Sequence, residues 1–138
     1  MIVFTVPGEP QGKGRPRFAR AGNYVRTYTP EKTVSYENLV KLEYERQCDG
    51  FRFDDKDQLR IFIWAYYSVP ESSSKKKKEL MWANKIRPTK KPDADNILKI
   101  IADSLNGIAY KDDAQIVHAT VDKYFNKTAY VEIWIEKI

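Results

Sequence analysis

The side chains best suited to chemistry are five aspartates in the segment KPDADNILKIIADSLNGIAYKDDAQI, which runs from Lys91 to Ile116. Clustered carboxylates repel one another and raise one another's pKa values. A hard divalent cation such as magnesium, which prefers oxygen ligands, neutralises such a cluster. Magnesium can also activate a water molecule and stabilise charge on a phosphate under attack, so this chemistry suits a nuclease. The five residues are Asp93, Asp95, Asp103, Asp112 and Asp113.

Basic residues flank the acidic segment. The stretch from Lys75 to Lys91 contains eight lysines and arginines and one acid, and the stretch from Gln11 to Pro30 contains five basic residues and no acid. Positive charge beside a carboxylate site suits a substrate that is rich in phosphate, although a lysine run is also typical of a solvated surface or a mobile loop. The candidate contacts to the DNA backbone are Lys13, Arg15, Arg17, Arg20, Lys75, Lys76, Lys77, Lys78, Lys90 and Lys91.

The spacing of the acidic residues predicts one polar face on a helix. With Asp93 at the N-cap, Asp95 lies in the first turn, and Lys99 and Asp103 follow at intervals of four residues on the same stripe. Lys99 would then stabilise a transition state, orient the attacking water or offset charge on the leaving oxygen. Asp103 is better explained as solvated helix surface or as a supporting residue.

A simpler interpretation of the same residues stays open at this point. The D-x-D-N sequence is also typical of a helix cap, with Asp95 and Lys99 as a surface ion pair. Asp112 and Asp113 are residues that commonly form turns.

The elements that must position these residues predict a single α+β domain, residues 1–138, with a mixed sheet and helices packed on it. MIVFTV predicts a strand that ends at PGEP, and Arg17–Arg20 with Tyr24–Thr27 predicts a small hairpin. A helix follows, with Thr29 as its N-cap and Pro30 at its first position. The segment QLRIFIWAYYSV predicts a strand with apolar residues on both faces.

The second half of the chain predicts two helices and two strands. A short helix is expected around Lys76–Ala83, and ADNILKIIADSLNG predicts an amphipathic helix that stops at Asn106-Gly107. The segments AQIVHATVDKYF and AYVEIWIEKI alternate as strands do, and the NKT between them predicts a hairpin.

Composition excludes several classes of protein. The 138 residues are 42% hydrophobic, which is enough for a packed core, and the net charge is +5. A lone cysteine, Cys48, rules out an intrachain disulfide, and a lone histidine, His118, gives no support to a nucleophilic triad. The N-terminus does not resemble a signal peptide and no apolar run approaches a membrane span, so we expect a soluble cytoplasmic protein with no membrane partner.

The chain resembles the RusA family of Holliday junction resolvases over nearly its whole length. Three motifs of that family occur in order: D-x-D-N-x-x-K at the helix start, D-[AS]-L-N at the helix end and D-D-x-Q-[IV] in the next loop. The N-terminal GEPQGKGRPRFAR followed by YTP also resembles the family's opening. By this resemblance, Asp93, Asp95 and Asp113 are metal ligands and, with Lys99, catalytic residues. Asp103 and Asp112 are supporting positions.

The resemblance implies a homodimer that binds a four-way DNA junction and nicks two strands symmetrically. The implied cofactor is magnesium, with manganese as an alternative ion, and no small-molecule cofactor is expected. Carboxylates and basic patches leave other activities open, namely a metal-dependent nuclease for flaps, forks or simple duplex, or a non-catalytic junction-binding protein. A plain interaction protein with capped helices is the remaining alternative.

Overall fold

The computed structural model describes residues 1–138, and the order of its elements confirms the prediction from local sequence signals. The strands are β1 (Ile2–Pro7), β2 (Arg17–Ala21), β3 (Tyr24–Tyr28), β4 (Leu59–Ser68), β5 (Ile116–Asn126) and β6 (Tyr130–Lys137). The helices are α1 (Glu31–Cys48), α2 (Lys75–Trp82) and α3 (Ala94–Ser104). β2 and β3 form the predicted hairpin as a separate two-stranded sheet.

The main sheet has four strands in the order β1-β6-β4-β5, and this order corrects one prediction. β5 and β6 do not form a hairpin, because β4 lies between them, parallel to β5 and antiparallel to β6. The short connection after Asn126 crosses the end of β4 before β6 begins at Tyr130. Two strand spacings are about 10 Å, and four peptide steps reach about 13 Å, so the chain can make this crossing. The sheet is therefore mixed, as predicted.

The strand β4 is the centre of the fold. Its residues alternate between full burial and half-burial, and Ile61, Ile63 and Tyr67 are almost completely buried. α1 packs on β1 and on α3, and α3 packs on β5. The hydrophobic core cluster joins these helices to the buried face of the sheet. This packing fixes α3, which holds most of the candidate site, against the sheet.

The opposite side of the sheet presents aromatic side chains that do not belong to the core cluster. We call it the aromatic face, defined by Phe62, Trp64, Tyr66, Tyr130 and Trp134. These residues are half-buried and alternate along β4 and β6 with the core residues. Their rings contact one another, with Trp64 and Trp134 centroids 5.2 Å apart and Tyr66 and Tyr130 centroids 4.5 Å apart.

The helix termini differ in detail from the sequence prediction. α1 begins at Glu31, and its N-cap position is held by Pro30, which has no side chain for capping, so the predicted Thr29 cap is wrong. α2 is capped by the Ser74 hydroxyl, which accepts a hydrogen bond from the Lys77 N–H. The four-lysine run therefore lies in the first turn of a helix, and its interpretation as a mobile loop is wrong. No helix in the structure combines the length and apolar character needed to cross a membrane.

Candidate active site

α3 begins inside the acidic segment and presents its polar residues away from the core. Ile97, Ile100 and Ile101 are almost completely buried and hold the helix against the sheet. Asp93 is at the N-cap position, as predicted, but its carboxylate makes no capping hydrogen bond. The interpretation of Asp93 as a simple helix cap is therefore wrong. Asp93 and Asp95 are both exposed near the helix N-terminus, where the helix dipole favours negative charge.

Asp95, Lys99 and Asp113 line one cavity of about 280 Å³. Its remaining walls are apolar and come from both α3 and the start of β5: Leu98, Ala102, Ile116 and Ala119. Asp93 is not part of this lining and lies 4.0 Å from the Lys91 ammonium. No three acidic, histidine or cysteine side chains lie close enough together to form a complete metal-binding set. The structure thus brings two of the three predicted metal ligands to the same cavity, together with Lys99.

Asp103 lies at the centre of the charged cluster, and this placement differs from the predicted solvated helix surface. Its Oδ2 atom is 3.3 Å from the Lys99 Nζ and 3.3 Å from the Lys13 Nζ. Its side chain is only 20% exposed, and its negative charge contributes to raising the pKa of Asp113. The predicted surface ion pair between Asp95 and Lys99 is absent, because Lys99 pairs with Asp103 on the next turn of α3.

The loop that precedes β5 is held by Gln115 and presents Asp113 to the cavity. A short 3₁₀ turn spans Asp113–Gln115, and the Asp112 carboxylate caps it by accepting a hydrogen bond from the Ala114 N–H at 2.9 Å. The Gln115 Oε1 accepts from the backbone N–H groups of Lys111 and Asp112 at 3.0 and 3.3 Å. Its Nε2 donates to the carbonyl oxygens of Asp54 and Asp57.

Two of the three sequence motifs meet at this loop. The Asn106 side-chain oxygen, at the end of α3, accepts a hydrogen bond from the Asp113 backbone N–H at 2.8 Å. Asn106 of the L-N motif and Gln115 of the D-D-x-Q motif therefore have structural roles that were not predicted from the sequence. Both side chains fix the backbone around Asp113, while Asp112 serves as the turn cap.

Asp112 and Asp113 have opposite pKa shifts. The hydrogen bond from the Ala114 N–H, followed by that from Asp113, holds the pKa of Asp112 below its usual value. Burial, followed by the hydrogen bonds with Asp112 and Asp103 and repulsion from both, raises the pKa of Asp113. A proton shared by this pair therefore favours Asp113. Asp113 would have to be deprotonated to hold a cation in this cavity, because metal ligands must be deprotonated.

Lys13 reaches into the carboxylate cluster from the N-terminal loop. Its Nζ lies 2.8 Å from the Glu37 Oε2 on α1, and its backbone N–H donates to the Asn96 carbonyl at 3.2 Å. Burial alone would lower the pKa of Lys13, but the pairing with Glu37 and Asp103 outweighs it and leaves the pKa raised. Sequence reasoning did not identify Glu37, since nothing local links it to a loop 24 residues away.

The other candidate DNA contacts are on the surface. Arg15, Arg17 and Arg20 are exposed in the N-terminal loop and β2, and Lys90 and Lys91 are exposed just before Asp93. Lys75, Lys76 and Lys77 are exposed and Lys78 is half-buried on α2. Lys123 on β5 was not among the basic residues singled out from the sequence, but it lies beside this group. Its Nζ donates to the Lys90 carbonyl at 2.7 Å. Burial lowers the pKa of Lys123, against the opposing effect of Asp93.

Comparison with known proteins shows the family to which this chain belongs. A family model described as endodeoxyribonuclease RusA matches residues 7–136. The chain belongs to the RusA endodeoxyribonuclease family. The family consists of Holliday junction resolvases, so the protein is an endodeoxyribonuclease that hydrolyses DNA at branched junctions. The chain is also 34% identical over 137 residues to an uncharacterised Bacillus subtilis (strain 168) protein, YqaN, covering 99% of this chain and 96% of that relative.

RusA resolvases depend on a divalent metal ion, and the cavity residues fit one. Asp95 and Asp113 contribute two carboxylates to one cavity, and magnesium typically takes about one or two carboxylates and completes its shell with water and substrate phosphate. The exposed carboxylate of Asp93, two residues before Asp95, makes no capping hydrogen bond and is available as a further ligand.

Proposed function

We propose that this RusA-family enzyme is a magnesium-dependent resolvase that nicks two strands of a four-way junction symmetrically as a homodimer. The observation that supports this proposal best is the cavity that Asp95, Lys99 and Asp113 share. Two carboxylates and an ammonium group on one concave surface suit phosphodiester hydrolysis. The Asp93 carboxylate, which makes no capping hydrogen bond, supports the same activity, as do the exposed side chains of Arg15, Arg17 and Arg20.

The mechanism assigns one role to each side chain. Asp95 and Asp113 would hold the magnesium ion, or manganese in its place, with Asp93 as the third ligand, and the bound ion would supply an activated water and Lewis-acid stabilisation of the phosphate oxygens. Lys99 offsets the negative charge that develops on the phosphate as the bond breaks. Asp103 holds the Lys99 ammonium group from the next turn of α3.

The DNA backbone is proposed to follow the exposed basic residues toward this cavity. Arg15, Arg17 and Arg20 neutralise phosphates, and the β2–β3 hairpin adds exposed rings, Phe18 at 73% and Tyr24 at 68% exposure. Exposed aromatic rings stack on unpaired bases without regard to sequence, which suits a branch point. Lys90 and Lys91 precede Asp93 in the chain, separated from it by Pro92.

The lysines Lys75–Lys78 are proposed as a second DNA contact. Four positive charges in the first turn of α2 oppose the helix dipole, and that turn contains no acidic residue. A bound phosphate relieves this unfavourable arrangement. The contact is preformed, because the helix already orders the backbone.

The aromatic face is proposed as the interface with a second copy of the chain. Glu132 and Glu136 project from the same side of β6 as Trp134, and the basic residue beside them on β4, Arg60, already pairs with Glu136. The face therefore lacks the free positive charge that DNA requires. The aromatic face is the centre of the outer side of the sheet. That whole side, with four strands about 4.8 Å apart and about eight residues long, covers roughly 500 Å² per protomer, or roughly 1,000 Å² in a dimer, which is the lower limit for a specific interface. A two-fold dimer presents two equal sites to a junction with two scissile strands.

The oligomeric state of a charge variant tests this interface. Trp134→Glu should convert the dimer to a monomer in light scattering. Leu42→Glu is the matched control, because Leu42 is 61% exposed on α1, far in sequence from the aromatic face. A Trp134→Glu protein that remains dimeric would show that the copies associate through another surface.

A substrate panel tests the proposed specificity. The enzyme should cut a mobile four-way junction with magnesium at least tenfold faster than a flap, a fork or plain duplex, with paired nicks at symmetric positions. Preference for flaps or forks would favour the more general branched-DNA nuclease. Binding to the junction without cleavage in either metal would leave only the non-catalytic alternative.

A further inference from the structure

Lys13 is a cation held between two carboxylates on different helices. Its Nζ is 2.8 Å from the Glu37 Oε2 on α1 and 3.3 Å from the Asp103 Oδ2 on α3. All three side chains are mostly buried, with exposures of 23% for Lys13, 16% for Glu37 and 20% for Asp103. Asp103 also contacts Lys99, so one chain of charges connects α1 to the lysine in the cavity.

We propose that Lys13, held by Glu37, is a positioning residue that orients Asp103 and, through it, the Lys99 ammonium group. This proposal rests on the function proposed above for Lys99. It differs from the sequence prediction that Lys13 contacts the DNA backbone, and the two assignments make opposite experimental predictions.

The backbone around Lys13 is anchored at several points. The Lys13 N–H donates to the Asn96 carbonyl on α3, and the Gly14 N–H donates to the Thr33 hydroxyl on α1. A Cβ atom at Gly14 would lie 2.5 Å from the Thr33 Oγ1, so the loop and the helix are in close contact. The loop therefore aims Lys13 into the gap between the helices, and the side chain does not have to lose much conformational freedom to form its ion pairs.

Contact with a phosphate would require Lys13 to leave both carboxylates. Glu37 would then be partly buried without a counter-ion and Asp103 would keep only Lys99, which is less favourable than leaving a solvated charge unpaired. The exposed neighbours Arg15 and Arg17 can reach phosphates without that loss. The charges around Lys13 therefore favour a role within the protein.

The ion pairs also affect the charge next to the cavity. Asp103 lies between two ammonium groups, with its Oδ2 atom 3.3 Å from each. With Lys13 in place, the negative charge of Asp103 is shared, so Lys99 remains available to a phosphate. Without Lys13, Asp103 would draw Lys99 alone and would repel Asp113 more strongly.

The test compares Lys13→Met with Lys32→Met. Lys32 is exposed on α1, lines the same polar groove as Lys13 and has no carboxylate partner in the structure. For Lys13→Met we expect the single-turnover rate at saturating junction to fall roughly tenfold to a hundredfold, as with a displaced catalytic group. Junction affinity without divalent ions should stay within about twofold of the parent, and the slope of log K against log salt should not change.

Glu37→Gln provides a second variant that leaves Lys13 in place but removes its α1 anchor. Its rate should fall less than that of Lys13→Met, again with unchanged affinity. The double variant Lys13→Met, Glu37→Gln should recover part of the lost rate, because it leaves one fewer unpaired carboxylate; loss of folding alone would not produce such a recovery.

The opposite result would overturn the proposal. If Lys13→Met keeps the saturated rate but weakens binding and reduces the salt slope by about one, Lys13 is a phosphate contact. The affinity and salt measurements do not require cleavage, so they decide the role of Lys13 even if the enzyme proves to prefer another branched substrate.

Discussion

Gly12 tests how closely the N-terminal loop must approach α3. A Cβ atom at this position would lie 2.9 Å from the Pro92 Cβ and 3.0 Å from the Asn96 Cβ. Both contacts are with atoms next to the backbone, which cannot rotate away. Because carbon atoms pack best at about 3.5–4.0 Å, Gly12→Ala must push the loop outward by roughly 0.5–1 Å.

This displacement should affect both stability and catalysis. Overpacking of this kind costs about 1–3 kcal/mol, and for a chain of this size we expect the melting temperature to fall by roughly 3–10 °C. The shift also stretches the bond from the Lys13 N–H to the Asn96 carbonyl, so junction cleavage should fall at least tenfold. Thermal melts and single-turnover cleavage below the new melting temperature measure the two effects.

Gly8→Ala is the matched control for Gly12→Ala. Gly8 has a φ of +95°, which an alanine adopts only with strain, but a Cβ atom there would meet nothing within 4 Å. It should therefore lose about 1 kcal/mol or more of stability while its cleavage rate stays near that of the parent. Equal loss of cleavage in both variants, or a Gly12→Ala protein with full stability and rate, would refute the reasoning.

Three further predictions concern the residues around the cavity. Lys99→Ala should lower the saturated cleavage rate by about a hundredfold, as with loss of one electrostatic stabiliser, and a normal rate with weaker binding would make Lys99 only a phosphate anchor. Replacement of Arg15 and Arg17 by alanine should reduce the salt slope of junction binding by up to about two, and an unchanged slope would remove this segment from the DNA. Gln115→Ala should lower the free energy of unfolding, measured in denaturant melts, by about 1–2 kcal/mol and should slow cleavage, because the loop around Asp113 loses its anchor. Unchanged stability and rate would show that other contacts hold the loop.

Local signals were sufficient to predict the elements of the fold. The β2–β3 hairpin, the short α2 helix and the amphipathic α3 helix lie where turn residues and apolar spacing place them. The partner of each strand is not a local property. The hairpin predicted for β5 and β6 was wrong because a short connection suits both a hairpin and a crossing over the end of β4, and only the packing of the whole sheet distinguishes them.

In the candidate site, too, local sequence predicts some contacts, and the others depend on how distant parts of the chain pack. Helical spacing correctly predicted that Lys99 and Asp103 share a face, but it also predicted an Asp95–Lys99 pair that does not form. Spacing alone does not distinguish the two pairs, because Asp95 and Asp103 each lie four residues from Lys99. The Lys13–Glu37 pair could not be predicted from the sequence, because it depends on how the N-terminal loop packs between α1 and α3.

The three carboxylates proposed as metal ligands give the most direct test of the active site, in one assay of junction cleavage and junction binding with magnesium. Asp93→Asn, Asp95→Asn and Asp113→Asn should each abolish cleavage of a mobile four-way junction, while each variant binds the junction as well as the parent or more tightly. The parent should cleave with magnesium and not without a divalent ion. Full cleavage by all three variants, or cleavage by the parent in the presence of a chelator, would contradict the assignment of these aspartates to a metal-dependent resolvase.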